Sequence, residues 1–203
     1  PGESVDDLRQ TLSSLDFSVI THVSAYALIV EEGTRLARAI ARGDIAAPDD
    51  DDLADKYEVI DTFLQAQGLS WYEVSNWSLP GLECQHNSGY WHSDNWWGIG
   101  PGAHSHVGGV RWWNHKHPAT WTQLVAAGES PAQAAEFLTA EDQHVESLLL
   151  GMRLVEGIDA STIAADVLGA LVADGMVERN GNRAVLTLRG RLLADAVVRR
   201  LLG

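Results

Sequence analysis

Apolar residues recur at helical spacing in two segments near the start of the chain and at strand spacing in two others. Residues 4–15 are predicted to form a helix, with Ser4 as N-cap and acidic residues in the first turn. A second helix is predicted after the acidic run at residues 49–52, because negative charge favours a helix N-terminus. Residues 19–30 are apolar and β-branched, which predicts a buried strand, and residues 71–77 alternate like another strand. This succession predicts parallel β/α units.

The last third of the chain has the element order of a winged helix. A long helix is predicted over residues 141–155, followed by short helices, a hairpin and a final helix. The hairpin is indicated by Asn180-Gly181-Asn182, since Asn-Gly suits the primed turns that join two strands. The helix in the recognition position, residues 164–174, has no Lys, Arg, Asn or Gln to contact phosphates or base edges. We therefore expect a packing module and not a DNA-binding one.

The balance of charge narrows the range of functions. The 203 residues include 28 acidic and 14 basic ones, a formal net charge of −14. Nucleic-acid backbones are bound by Lys and Arg, so nucleic acid is not an expected partner. One cysteine, Cys84, cannot form a disulfide framework, an iron–sulfur cluster or a Cys-rich zinc site. No apolar run reaches the roughly 18 residues of a membrane span. We therefore expect no transmembrane segment and a cytoplasmic protein.

Aromatic residues and histidines concentrate in the middle of the chain. Residues 71–121 contain all eight tryptophans and six of the eight histidines. An imidazole can ligate iron or zinc, and indole and phenol rings supply the flat apolar walls that a porphyrin requires. A lone histidine beside aromatic rings is more often a packing residue, so these residues alone leave both interpretations open for His86. The other histidines lack a recognisable zinc-ligand spacing.

Two neighbouring features are interpreted structurally. The glycine-rich run at residues 97–105 does not match a phosphate-binding loop, because Pro101 interrupts it and no amphipathic helix follows. Its glycines are expected to let the backbone turn sharply or approach a large flat ligand. Cys84 has no identifiable base or orienting residue near it, so we expect a small buried side chain and not a nucleophile.

Several motifs together carry a resemblance to a known family. The more specific one is His86-Asn87-x-x-Tyr90-Trp91, followed by Gly98-x-Gly100-x-Gly102-Ala103-His104-Ser105. Softer matches are Pro1-Gly2-Glu3-Ser4, Ser24-x-Tyr26-x-Leu28 and Leu150-Gly151-Met152-Arg153-Leu154. In this order they resemble the radical S-adenosylmethionine family of oxygen-independent coproporphyrinogen III oxidases, with a closer likeness to the HemW-type heme chaperones.

The resemblance implies an α/β fold. Residues 1–121 would form the C-terminal half of a partial (β/α)6 radical SAM barrel, and residues 122–203 a helical winged-helix-like C-terminal domain. In the family, a CxxxCxxC loop holds a [4Fe–4S] cluster beside S-adenosylmethionine, and this sequence has no such loop. The resemblance therefore assigns both cofactors to a full-length parent and predicts that this chain alone is inactive as an enzyme. A cut barrel exposes a strand edge and an apolar wall, so we expect self-association or a missing N-terminal half.

The resemblance also implies a heme site. It makes His86 the candidate axial ligand, Asn87 its hydrogen-bond partner, and Tyr90 and Trp91 the walls that pack against the porphyrin. His104 is the fallback ligand, and no catalytic residue is expected in this chain.

Three functions remain open at this point. The leading hypothesis is the C-terminal part of a heme chaperone, which binds heme or a porphyrin and transfers heme to acceptor hemoproteins. An alternative is part of an oxygen-independent coproporphyrinogen III oxidase, which carries out radical oxidative decarboxylation in porphyrin biosynthesis. The third is a structural module without a ligand.

Overall fold

The computed structural model describes residues 1–203, which form nine α-helices and nine strands. The helices are α1 (Val5–Ser13), α2 (Arg35–Ala41), α3 (Asp50–Ala66), α4 (Gln85–Trp91), α5 (Pro118–Ala126), α6 (Ala140–Gly151), α7 (Ala165–Ala173), α8 (Leu188–Leu192) and α9 (Ala194–Leu202). The strands are β1 (His22–Ser24), β2 (Ser70–Glu73), β3 (Asn76–Ser78), β4 (His104–Val107), β5 (Val110–Asn114), β6 (Ala132–Phe137), β7 (Ile158–Asp159), β8 (Val177–Asn180) and β9 (Arg183–Leu186). No helix combines the length and the apolar character needed to cross a lipid bilayer.

The two helices predicted near the start of the chain are confirmed as α1 and α3. Ser4 caps α1 in a capping box with Asp7, so two backbone donors of the first turn are satisfied. Asp49 caps α3 by accepting the backbone N–H of Asp52, and the acidic run lies in the first turn as expected. The following chain reverses at Gly68, whose φ of +85° favours glycine.

The first sheet has the strand order β1–β3–β2, and both pairings are antiparallel. The prediction of parallel β/α units is therefore wrong for the strand pairs within this chain. The predicted buried strand at residues 19–30 is also wrong. Only the three residues of β1 form a strand and none of them is buried, while Val19 is 73% exposed and Ile29 75%. The segment is apolar, but β1 pairs on one side only, so no neighbouring strand covers the rest of it.

The predicted single strand at residues 71–77 is instead a tight hairpin. Trp71 in β2 lies opposite Trp77 in β3, and Val74 and Ser75 form the turn between them. The alternation continues through the turn because it contains neither Gly nor Pro, the residues that usually reveal one. Trp77 is fully buried with Leu64 and Leu69, and these residues form the first core.

The second sheet has the order β4–β5–β6, again antiparallel throughout. Its third strand, β6, comes from beyond the predicted domain boundary after residue 121. The division into residues 1–121 and 122–203 remains a prediction, and the pairing of β6 with β5 favours a boundary after β6.

The C-terminal region has its own core and confirms the predicted hairpin. Asn180 pairs with Arg183 across the turn between β8 and β9, and Gly181 has a φ of +60°, as a primed turn requires. Eleven buried residues between Met152 and Val198, mostly from α7, α9 and the third sheet (β7–β9–β8), form the larger core of the molecule. The long helix predicted over residues 141–155 is shorter, because α6 ends at Gly151.

Contacts of two kinds join the C-terminal region to helix α3 and to the first sheet. Arg191 of α8 makes a bidentate ion pair with Asp61 of α3, with both N···O distances 2.8 Å and both side chains 4% exposed. The backbone N–H of Val155 donates to the carbonyl of Tyr72 at 2.9 Å, and Glu73 forms an antiparallel bridge with Leu154. The edge of β2 is thus held by the segment that follows α6.

Candidate functional site

The four motif residues lie on α4 and divide into two pairs on adjacent faces. His86 and Tyr90 are four residues apart, as are Asn87 and Trp91, so each pair lies one helical turn apart on the same side. His86 and Tyr90 are exposed, whereas Asn87 and Trp91 are partly buried. The structure therefore separates an outward-facing pair from an inward-facing one.

The outward-facing pair is joined by a hydrogen bond. The Nε2 atom of His86 is 2.9 Å from the phenol oxygen of Tyr90, and the two rings meet edge to face with centroids 4.8 Å apart. Imidazole and phenol are both side chains that can ligate heme iron. Exposure leaves this face of α4 accessible to a large planar molecule.

Tyr90 is supported from behind by a chain of aromatic rings. Its ring meets that of Trp96 at 84° with centroids 4.8 Å apart, and Trp96 contacts the ring of His106 at 4.9 Å. Two backbone hydrogen bonds, of 2.8 and 3.0 Å, join Trp96 to His106 of β4. The ring of Tyr90 is therefore held against the second sheet through Trp96, while the residue stays exposed to solvent.

The inward-facing Asn87 fixes α4 to the hairpin of the first sheet. Its amide nitrogen is 3.3 Å from both the phenol oxygen of Tyr72 and a carboxylate oxygen of Glu73. Glu73 is 1% exposed, and its other oxygen accepts the backbone N–H of Ser75 at 3.2 Å. The amide of Asn76 also donates to this carboxylate. Amide donors and a backbone N–H thus hold a buried carboxylate that has no ion-pair partner in the structure.

Burial governs the electrostatics of this polar cluster. Desolvation raises the pKa of the Glu73 carboxyl, and the hydrogen bonds from Ser75 and Asn87 oppose that effect only in part. Desolvation also raises the pKa of the Tyr72 phenol and lowers the pKa of His22. His22 Nε2 lies 2.9 Å from the Tyr72 oxygen, so the hydrogen-bonded chain extends to β1.

The sequence interpretation missed this anchoring cluster. Tyr72 and Glu73 belong to a segment that was predicted only as a strand. The available signal was a carboxylate within an apolar alternation of large side chains, because such a residue requires polar partners when buried.

His104, the fallback ligand, lies apart from the α4 residues. It is exposed on β4, and its ring stacks on that of Trp113 with centroids 5.8 Å apart. No hydrogen bond or ring contact in the structure connects it to His86, Asn87, Tyr90 or Trp91. Cys84 is exposed, so the prediction that it is buried is wrong.

The glycine-rich run forms a loop that packs on itself. The backbone N–H of Gly98 donates to the hydroxyl of Ser105 at 2.9 Å, and the Asn114 amide donates to the carbonyl of Gly100 at 2.9 Å. A methyl group at Gly98 would overlap the carbonyl oxygen of His104, and Gly100 has a φ of +111°. Of the two roles expected for these glycines, the structure shows the sharp turn.

A cleft of about 620 Å³ lies on the inward side of α4, between the second sheet and the C-terminal region. Its lining is mostly polar and includes Trp91, His92 and His106 on one side and Gln143, Ser147 and Asp159 on the other. Trp91 therefore lies against the junction of the two regions and not beside the exposed imidazole of His86.

Comparison with known proteins gives one family match in the last third of the chain and relatives that match the whole chain. Residues 138–193 match the HemN C-terminal domain family. The heme chaperone HemW of Mycobacterium tuberculosis is 52% identical over the whole of this chain. Over its whole length the chain is thus similar to the HemW heme chaperones. HemW of Bacillus subtilis is 28% identical, again over the whole chain. The chain spans about half the length of these HemW relatives, 53% and 56%.

A solved structure has the same fold. It is the coproporphyrinogen III oxidase (HemN) of Escherichia coli, described as a radical SAM enzyme, with a TM-score of 0.72 and 18% identity. The match covers 99% of this chain and 52% of that protein. It confirms the predicted α/β fold class.

Proposed function

We propose that this chain carries the heme-binding segment of a heme chaperone, a protein that binds heme and transfers it to acceptor hemoproteins. The observation that carries the proposal is the exposed, hydrogen-bonded pair of His86 and Tyr90 on one face of α4. The names of the HemW relatives point to the same function. Because the chain spans about half of each relative, the activity of the whole protein is part of this proposal.

The motif residues have different roles in this proposal. His86 and Tyr90 face the heme and offer a nitrogen and an oxygen to its iron. Asn87 does not contact the heme; its hydrogen bonds to Tyr72 and Glu73 fix the orientation of α4 and so of the two ligand residues. Trp91 contributes a ring on the side of the cleft, and His104 stays a separate candidate ligand on β4.

Exposure of the ligand pair suits transfer better than storage. A deeply buried heme leaves its carrier only after the pocket opens, whereas a heme on an exposed helix face is accessible to a second protein. The acceptor then competes for the iron without unfolding the donor. We therefore expect hemin binding to be reversible and acceptors with a buried heme pocket to remove the hemin.

This proposal places the [4Fe–4S] cluster and S-adenosylmethionine outside this chain. The residues of this chain do not fit a [4Fe–4S] cluster, because Cys84 is its one cysteine and such clusters are held by several thiolates. We assign the cluster and S-adenosylmethionine to the half of the longer relatives that this chain does not cover. The cytoplasmic location expected from the sequence stays a prediction.

Hemin titration of the chain, followed by its Soret absorption, tests the proposal. We expect saturable binding that the double variant His86→Ala/Tyr90→Phe loses, while a double variant of exposed residues outside α4, His117→Ala/Tyr26→Phe, retains it. Adding apomyoglobin to the loaded chain should then produce the spectrum of myoglobin. Binding that is equal in both double variants would contradict the assignment to α4, and no saturable binding would favour a module without a ligand.

The oxidase alternative requires a different readout. It predicts that the longer protein, with its cluster reconstituted, converts coproporphyrinogen III to protoporphyrinogen. Product formation at a catalytic rate would replace the chaperone proposal by the oxidase one.

A further inference from the structure

We infer that Tyr90, and not His86, is the residue that binds the iron of ferric heme, and that His86 accepts the phenol proton. This inference rests on the proposed function and specifies the chemistry of that site. It reverses the roles expected from the sequence, in which His86 is the axial ligand and Tyr90 a packing wall.

The hydrogen bond between the two residues decides which atom is available. Nε2 of His86 lies 2.9 Å from the phenol oxygen of Tyr90, so this nitrogen already has a partner. An imidazole nitrogen has one position for a proton or a metal, and coordination of iron by Nε2 would break the bond to Tyr90. A phenol oxygen has two lone pairs besides its proton, so it can keep the bond to His86 and still bind iron.

The other ring nitrogen of His86, Nδ1, is also a poorer donor to the iron than the Tyr90 oxygen. Nδ1 is adjacent to the Cβ atom, so a planar ligand as wide as a porphyrin meets the helix backbone when it approaches from that side. The Tyr90 hydroxyl is at the far end of its ring, 39% of the residue is exposed, and nothing bonds to the oxygen apart from His86. The oxygen is therefore the more accessible donor on this face.

The iron stays ferric during binding, and the step exchanges one O–H bond for one iron–oxygen bond. The iron–oxygen bond forms between ferric iron and the Tyr90 oxygen, and the O–H bond of the phenol breaks. The proton moves to the lone pair of His86 Nε2, which becomes an imidazolium and donates its new N–H back to the phenolate. A bound cation favours the deprotonated form of its ligand, and the adjacent base accepts the proton that is released.

The surroundings hold Tyr90 in place for this role. Its ring is packed edge to face on Trp96, which is fixed by two backbone bonds to His106. His86 is one turn earlier on the same helix, so the imidazole stays beside the hydroxyl without a separate support. The pair is a ligand with its own positioned base.

Resonance Raman spectroscopy of the hemin-loaded chain separates the two assignments. A phenolate bound to ferric iron gives enhanced ring modes on excitation in its charge-transfer band, and an imidazole does not. We expect these modes in the native chain and in the control His117→Ala, and we expect Tyr90→Phe to lose them. Phenylalanine keeps the ring that packs on Trp96, so the far-ultraviolet circular dichroism of this variant should be unchanged.

His86→Ala should keep the phenolate modes but weaken hemin binding by about 10- to 100-fold, the usual effect of removing a partner of a metal ligand. Loss of all ligation in His86→Ala, with a native spectrum in Tyr90→Phe, would overturn the inference and leave the heme site in place. Native spectra in both variants would overturn it too, and failure of the native chain to bind hemin would remove the proposed function together with it.

Discussion

Replacing Arg191 by methionine tests the contact that fixes the C-terminal helices to the first core. The guanidinium binds both carboxylate oxygens of Asp61 at 2.8 Å and is 3.2 Å from the phenol of Tyr57. It also lies over the ring of Trp71, 4.5 Å from the centroid. Methionine has a similar length and an apolar end, so the substitution removes the charge and keeps much of the packing.

The expected cost follows from the burial of the partner. Asp61 is 3% exposed and keeps only the hydrogen bonds from Trp77 (2.8 Å) and Gln65 (2.7 Å) when Arg191 is gone. Removing one member of a buried ion pair usually costs about 3–5 kcal/mol, because the other charge is left unpaired in the interior. For a chain of this size that corresponds to a decrease in Tm of roughly 6–20 °C.

Differential scanning calorimetry and urea unfolding of Arg191→Met and of the double variant Arg191→Met/Asp61→Asn measure this cost. The double variant should recover part of the loss, since no unpaired charge then remains. The matched control is Arg9→Met, which removes an exposed pair with Asp6 and should change stability by less than about 1 kcal/mol. A loss in Arg191→Met as small as in the control would refute the argument.

The pH dependence gives an independent check. Burial by itself raises the pKa of the Asp61 carboxyl, but the hydrogen bonds from Arg191 and Trp77 outweigh it and hold the pKa below its usual 3.8. A carboxyl with a lowered pKa stabilises the fold above its unfolded pKa, so this contribution is lost as the pH falls below 3.8. Without Arg191 the burial effect dominates and the sign reverses. The destabilisation caused by Arg191→Met should therefore shrink as the pH decreases through the acid range.

Three further substitutions test other parts of the structure. Asn87→Ala should destabilise the fold by about 1–3 kcal/mol by leaving the Glu73 carboxylate short of a donor, and should also weaken hemin binding; an unfolding curve and a hemin titration equal to those of the native chain would contradict this. Glu73→Gln should flatten the pH profile of unfolding above pH 4.5, because a carboxyl whose pKa is raised by burial makes the native fold less stable as the pH rises through that range. Gly98→Ala should lower the free energy of unfolding in urea by roughly 1–3 kcal/mol or more, because its methyl group overlaps the His104 carbonyl. The control Gly169→Ala, on the open side of α7, should raise it by about 0.5–1 kcal/mol.

Local chemistry in the sequence was enough to predict elements that end in caps and turns. The N-cap Ser4, the acidic start of α3 and the hairpin turn at Gly181 all act within a few residues, and each is confirmed. The strands were less predictable, since the partner of a strand is set by distant residues. The apolar run at residues 19–30 carries no information on how many strands would cover it.

The candidate site shows the same limit. The residues of the His86 to Trp91 motif were identified in the sequence, but their division into an exposed pair and an anchored pair follows from a helix that the pattern did not predict. The support from Glu73 was missed for two reasons. Asn76 contacts it across a turn that was not predicted, and Asn87 contacts it from a separate helix. Neither contact follows from the spacing of apolar residues.

Strand β2 connects two parts of the molecule through different atoms of the same residues. Tyr72 and Glu73 hold α4 with their side chains and the segment after α6 with their backbone. The pairing of β2 with β3 shifts register between Trp71 and Glu73, and this irregularity lets two successive side chains reach the same helix. Inserting or deleting one residue in β2 would change which side chains face α4 and shift the backbone groups out of register. A single length change in a four-residue strand would therefore uncouple the motif helix and the C-terminal region together, while substitutions affect one of them at a time.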